Sequence, residues 1–260
     1  MIIKICDAKI LEEERARLEA TSAPFVTKDI ERRIDPCLSL PNAKSVIVVG
    51  LPYSPSPTSN LSTLAYGLDY HVALRTVLEG LAADYKTKYN CSNYIQVDSG
   101  SLVERAFAVK AGLGFWGKNR MVISPEYGSY FNIGLLVVDI VLPYPASSKI
   151  QSPFEMKCPD DCRLCLDSCP RDAIGKPMDC ISYHTQKKSE PTRAEIGGQI
   201  YGCDICQAVC PFNITVDQKE INLNEILSMT EADFQEKYGH TAMAWRGLRH
   251  LQRNVRVMLR

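Results

Sequence analysis

With 30 basic and 30 acidic side chains among 260 residues, the chain carries no formal net charge, so no global field draws it to nucleic acid or to a membrane surface. Its length allows one sizeable domain and a smaller one. Met1 to Ala20 holds no apolar signal core, and the longest apolar run, Ile133 to Tyr144, is broken by Asp139 and Pro143 and is too short to span a bilayer. A cytoplasmic protein with no membrane segment is expected.

In chain order, Ile10 to Ala20 reads as a short, highly charged helix, interrupted afterwards by Pro24 and the turn at Asp35-Pro36. Ser45 to Pro52 is a β-branched run closed by Gly and Pro, which predicts a buried strand, and the Ser- and Pro-rich stretch Pro52 to Ser62 predicts a loop. Leu74, Val77, Leu78 and Leu81 recur at helical spacing and predict a long amphipathic helix from Asp69 to about Tyr89. Tyr94 to Val97 is a second strand, ending at Asp98. Ser101-Leu-Val-Glu104 has capping-box spacing and opens a helix through Ala111, stopped by Gly112 and Gly114. Asp98 therefore sits at a strand-to-helix junction, where a polar residue either faces a ligand or ties down the helix N-terminus. Gly112 to Asn119 places three glycines ahead of Lys118 and Asn119, a loop that would let backbone approach a bulky ligand. Asn119 to Ser124 and Tyr130 to Asp139 predict two further strands joined as a hairpin through Gly128.

Eight of the eleven cysteines then fall between Cys158 and Cys210. Cys162-Arg-Leu-Cys165-Leu-Asp-Ser-Cys169-Pro170 and Cys203-Asp-Ile-Cys206-Gln-Ala-Val-Cys210-Pro211 both have the Cys-x2-Cys-x3-Cys-Pro form of bacterial-type ferredoxins, with Cys158 and Cys180 completing two sets of four. Zinc also takes paired cysteines. Two zinc sites, however, leave both Cys-x3-Cys-Pro endings unexplained, and two [4Fe–4S] cubanes account for them. The crossed-ligand rule gives one cluster Cys158, Cys162, Cys165 and Cys210, and the other Cys169, Cys180, Cys203 and Cys206. The three residues between Cys158 and Cys162 are one more than the ferredoxin run has. Cys6, Cys37 and Cys91 are scattered and read as ordinary thiols.

From Ala242 to Arg260 there are five arginines and no acid. Arg246, Arg249, Arg253, Arg256 and Arg260 recur at steps of three and four, and Ala244, Leu248, Leu251, Val255 and Met258 form a second stripe roughly 150° away, at about 100° per residue. Such a helix packs its apolar stripe inward and turns its arginines out, toward phosphates or as a solvated basic face.

The pieces Arg33-Ile-Asp-Pro36, Lys44 to Val49, Asp69-Tyr-His71, Val97-Asp-Ser99, Val103-Glu-Arg105, Ala111 to Asn119, the eight cysteines, Gly202 to Asn213 and Gly247 to Asn254 stand in one order along most of the chain. In that order they resemble the epoxyqueuosine reductases, cobalamin-dependent iron–sulfur enzymes of tRNA modification. Two positions depart from the family: Ser101 stands where it often has Pro, and the Cys158 to Cys162 gap carries the extra residue. Longer members continue past the Arg-Asn run into helical repeats that help grip tRNA, so the likeness is to a short form, which leaves the substrate open.

The resemblance implies an α+β protein. A nitroreductase- or reductive-dehalogenase-like α/β cobalamin-binding domain (1–150) is followed by a ferredoxin-like double [4Fe–4S] domain (151–215) and a helical tail (216–260). It implies that Asp98 is the proton donor and a cofactor contact, that Lys118 and Asn119 approach the corrin, and that Arg246, Arg249, Arg253 and Arg256 meet RNA. His71 reads instead as a packed, hydrogen-bonded histidine. Implied partners are a tRNA anticodon stem-loop and a reductant such as a flavodoxin or ferredoxin, acting with a monomer. A corrinoid iron–sulfur reductase of a small molecule and a noncatalytic ferredoxin-like electron carrier stand as alternatives.

Overall fold

The computed structural model describes residues 1–21, 25–54, 60–144, 158–214 and 220–260. These fall into two compact units, Met1–Pro52 with His71–Cys162 and Tyr53–Tyr70 with Arg163–Arg260. The segment boundaries expected at 150/151 and 215/216, the interruption at Pro24, and much of the Pro52 to Ser62 loop lie outside the described residues.

The first unit is built on a four-stranded sheet in the order β1-β2-β6-β3, with β1 Ile2–Asp7, β2 Ser45–Pro52, β3 Asn93–Val97 and β6 Phe131–Val138. Every neighbouring pair in it is antiparallel, so the layer is α+β rather than a parallel, doubly wound sheet. The central strands are sealed on both sides: Val46 to Val49 and Leu135 to Val138 have no exposure at all. Val46, Val48, Leu135 and Val137 share one core with Phe107 of the helix Glu104–Lys110. On the other face, Gly134 brings β6 against the helix Tyr70–Tyr89, where an added Cβ would lie 2.7 Å from a methyl of Leu78.

β1 was not anticipated. Ile2-Ile-Lys-Ile does not alternate cleanly, because an edge strand with one partner leaves Ile3 and Lys4 exposed. The Gly128 turn forms, with Ser124 and Gly128 exchanging two backbone hydrogen bonds of 2.7 and 2.9 Å. Its two strands do not pair with each other, however: β5 (Val122–Ile123) pairs with β4 (Phe115–Trp116), while β6 joins the main sheet. The capping box is also absent. The helix begins at Glu104 with Val103 before it and no side-chain cap, and the Ser101 hydroxyl faces that of Ser39 at 3.5 Å.

In the second unit, Leu61 and Ala65 share a core with Ile200, Tyr201, Phe234, Met243, Leu251 and Val255. The expected tail helix is Leu248–Leu259, with Leu248, Leu251 and Val255 buried as the apolar stripe requires. It does not extend back to Arg246, which lies in a separate 3₁₀ turn, Ala242–Arg246, before Gly247 at φ 76°. Among the described residues no helix is long and apolar enough to cross a membrane.

Candidate active site and cluster cysteines

Asp98 follows the last residue of β3 in a turn that L-residues rarely adopt. Its φ is 54°, and the Ser99 N–H donates to the Val97 carbonyl at 2.5 Å, which closes a three-residue turn of the strained, positive-φ kind. The turn is wound round one side chain. Buried Gln96 accepts from the Leu102 N–H at 3.0 Å and donates to the Leu102 carbonyl at 2.8 Å. Gly100 passes so close that an added Cβ would lie 2.0 Å from the Gln96 amide oxygen, so a side chain there would push Gln96 off its bonds to Leu102. The Asp98 carboxyl is left 63% exposed, and its Oδ2 is 3.4 Å from Nε2 of His71. His71 thus faces the candidate acid rather than a packed interior, a pairing that its place at the start of a helix did not reveal.

Lys118 and Asn119 both make bonds within the protein. Lys118 Nζ donates to the carbonyls of Pro159, Asp160 and Cys162 at 2.8, 2.8 and 2.9 Å, and so fastens the loop that carries Cys158 and Cys162. Asn119 is buried, and its Oδ1 accepts from the Met121 N–H at 3.1 Å within the turn between β4 and β5. A lysine three donors rich is well matched to three converging carbonyls, but nothing in the local sequence identified a partner forty residues on.

The other six cysteines of the motif belong to the second unit. The short helices Leu164–Asp167 and Ile205–Ala208 pack against each other, bringing the two cysteine runs together. As bare thiols Cys180, Cys203 and Cys206 resist ionisation. Burial first, then Cys180, the Asp204 carboxylate and Cys169, push Cys203 up to about 12, and burial with Cys203, Cys180, Asp204 and Cys165 nearby raises Cys206. Cys180 is raised by burial and by Cys169. Cys169, Cys180, Cys203 and Cys206 thus crowd one another, a cost that binding to iron offsets because the ligand is the thiolate.

The shell round this set comes from distant segments. Asp204, between Cys203 and Cys206, accepts from Ser62 Oγ at 2.7 Å and from the Thr63 N–H at 2.6 Å. Gly202, at φ 68°, approaches Ser62 so closely that an added Cβ would lie 2.4 Å from the serine Cβ. Its N–H donates to Thr185 Oγ1 at 2.9 Å.

The arginine stripe divides. Arg253 turns back into the unit and donates to the carbonyls of Lys187, Lys188 and Ser189 at 3.1, 2.8 and 3.1 Å. Beside it, fully buried Asn254 donates to the Thr185 and Ile200 carbonyls at 2.7 and 2.8 Å. The Arg-Asn pair is therefore a clamp on the cysteine-bearing segment. The half-buried Arg246 guanidinium lies 3.7 Å from the centre of the Trp245 ring, and Arg260 pairs with Glu190 at 2.8 Å. Arg249 and Arg256 are exposed.

Comparison with known proteins joins these two halves. Residues 33–99, ending just past Asp98, match the family described as Epoxyqueuosine reductase QueG, DUF1730, and residues 157–213 match the 4Fe-4S double cluster binding domain. An epoxyqueuosine reductase of Bacillus subtilis is 35% identical over 285 residues, covering 97% of this chain and 71% of that protein. The chain belongs to the epoxyqueuosine reductase family. Family membership makes it an iron–sulfur oxidoreductase, which sets aside the noncatalytic carrier, and the double-cluster domain resolves the cysteines in favour of two [4Fe–4S] clusters over zinc. Among solved structures, an epoxyqueuosine reductase with an epoxyqueuosine-modified tRNA-Tyr stem loop matches with a TM-score of 0.84 and 33% identity, over 99% of this chain and 76% of that one. Another, from Bacillus subtilis, was solved with an aspartate catalytic loop swung out of the active site; it matches at 0.82 and 31%, over 99% and 77%.

Proposed function

We propose that this chain reduces the epoxide of epoxyqueuosine in tRNA to queuosine, with Asp98 as the proton donor. The observation that carries this reading is that the family likeness runs through both chemical halves, the Asp98 turn and the double-cluster cysteines. Opening the epoxide and releasing its oxygen as water consumes two electrons and two protons. Cys158, Cys162, Cys165 and Cys210 would hold one cluster and Cys169, Cys180, Cys203 and Cys206 the other, and the clusters would supply single electrons taken from a small redox protein such as a flavodoxin or ferredoxin. Bound cobalamin supplies a strongly reducing cobalt. An exposed Asp98 carboxyl leaves room for a bulky cofactor and substrate to reach it; Lys118 also holds the Cys158–Cys162 loop, and Asn119 a turn. Asp98 protonates the departing oxygen, and His71 at its Oδ2 orients the carboxyl and can return a proton to it.

The direct test is mass spectrometry of tRNA nucleosides from cells lacking this gene. Accumulated epoxyqueuosine with loss of queuosine is expected, and restoration by the intact gene but not by a cluster-cysteine variant completes it. Unchanged queuosine would end this reading and favour a small-molecule substrate.

Exposure of Arg249 and Arg256, two helical turns apart on one helix, supports a role for them in meeting phosphate. Arg249→Ala and Arg256→Ala should each weaken stem-loop binding. Each should also flatten the slope of log affinity against log salt by about 0.7 to 0.9. An unaltered slope in the double variant would remove this helix from the RNA surface.

A further inference from the structure

We propose that Glu104 is a positioning residue for Asp98, holding the turn 98–103 closed so that the acid stays on its target; this rests on the reading of Asp98 as proton donor. Glu104 opens the helix Glu104–Lys110, where a first-turn carboxylate ordinarily reaches for the uncapped N–H groups of its own helix. That helix has no side-chain cap at Val103, yet Glu104 reaches past its own N-terminus to residue 98. Its Oε1 accepts from the Asp98 N–H at 2.7 Å and from Gln96 Nε2 at 3.2 Å.

Three features show what that bond restrains. Asp98 has a Cβ and sits at φ 54°, so the turn is not one the chain adopts without constraint. Gln96 secures the far side of the turn at Leu102, and Gly100 leaves just enough room for its amide. The backbone N–H of residue 98 itself is held by Glu104. The carboxylate is kept there at a cost. Burial first, and then the charge of Asp98, push Glu104 up to about 7. The matched Bacillus subtilis enzyme, whose aspartate catalytic loop has been seen swung out, shows that such a loop can leave the site in this family.

The experiment compares wild type, Glu104→Ala, Glu104→Gln and Asp98→Asn as cluster-loaded full-length proteins. Hydrogen exchange of peptides spanning residues 96–104 is followed beside kcat and KM on an epoxyqueuosine-modified stem-loop. In Glu104→Ala, exchange at the turn should rise about tenfold, the scale of one lost hydrogen bond. Its kcat should fall about 10- to 100-fold with KM little changed, as expected for a misplaced catalytic group. Glu104→Gln, which keeps an oxygen for both donors, should restore protection and most of kcat. Asp98→Asn should lose kcat while the turn stays protected.

Wild-type protection and kcat in Glu104→Ala would overturn the proposal. So would a Glu104→Gln enzyme as slow as Glu104→Ala with its turn still closed, since Glu104 would then act by charge rather than by position. If Asp98→Asn keeps wild-type kcat, it is the donor reading that fails, whatever Glu104 does to the turn.

Discussion

Asp98→Asn is expected to lower turnover on an epoxyqueuosine-containing stem-loop by about 10²-fold or more, the scale for removing a general acid, while iron content stays at wild-type level. The substitution is the clean one at this position. Asparagine tolerates a positive φ better than other residues with a Cβ, so the strained turn at φ 54° survives the change. The backbone N–H that Glu104 holds is untouched, and an amide oxygen can still face His71. What is lost is the carboxyl proton. Asp98→Ala should be as slow, with added strain in the turn. Single-turnover assays beside iron analysis check both variants, and wild-type turnover in Asp98→Asn would reduce Asp98 to a structural role.

The largest expected loss of stability comes from Asn254. Its side chain is wholly buried and donates both amide protons, to Thr185 and Ile200. Removing it strands the buried Ile200 carbonyl at about 1–3 kcal/mol, leaves the Thr185 carbonyl with His250 Nε2 at 2.7 Å, and opens a small cavity, so Asn254→Ala should cost about 2–4 kcal/mol in denaturant unfolding of the loaded protein. The damage should reach the second cluster, because Thr185 also accepts from the N–H of Gly202, next to Cys203. Asn254→Asp is the sharper control. It is isosteric and keeps an oxygen for the Arg253 guanidinium, but it sets a second carboxylate oxygen against two carbonyls and should be less stable than wild type. Equal stability of Asn254→Asp and wild type would show that the two donated bonds carry no weight.

The same pair shows where sequence reading reaches its limit. Arg253 and Asn254 were legible as part of a basic, amphipathic helix, and the apolar stripe Leu248, Leu251, Val255 is buried as its spacing requires. A helical wheel assigns a face. It does not say that a long guanidinium on that face bends back onto carbonyls some sixty-five residues earlier. Side-chain length and three stranded acceptors decided that.

What the sequence determined by itself is what short-range pattern encodes. The β-branched run Ser45–Pro52, the helical repeat of Leu74 and Leu78, and the two Cys-x2-Cys-x3-Cys-Pro runs each carry their signal within a few residues, and each stands where it was read. Asp98 was likewise placed at a strand end by its neighbours alone. Tertiary structure decided which donors meet which acceptors. It paired β1 with β2 as an edge and assigned Tyr53–Tyr70 to the cysteine-bearing unit, where Ser62 and Thr63 bind Asp204. It also turned Lys118 onto the Cys158–Cys162 loop and Glu104 onto Asp98. Buried polar groups must be satisfied, but the partner is chosen by proximity in space, and that proximity is settled only once the hydrophobic faces have packed.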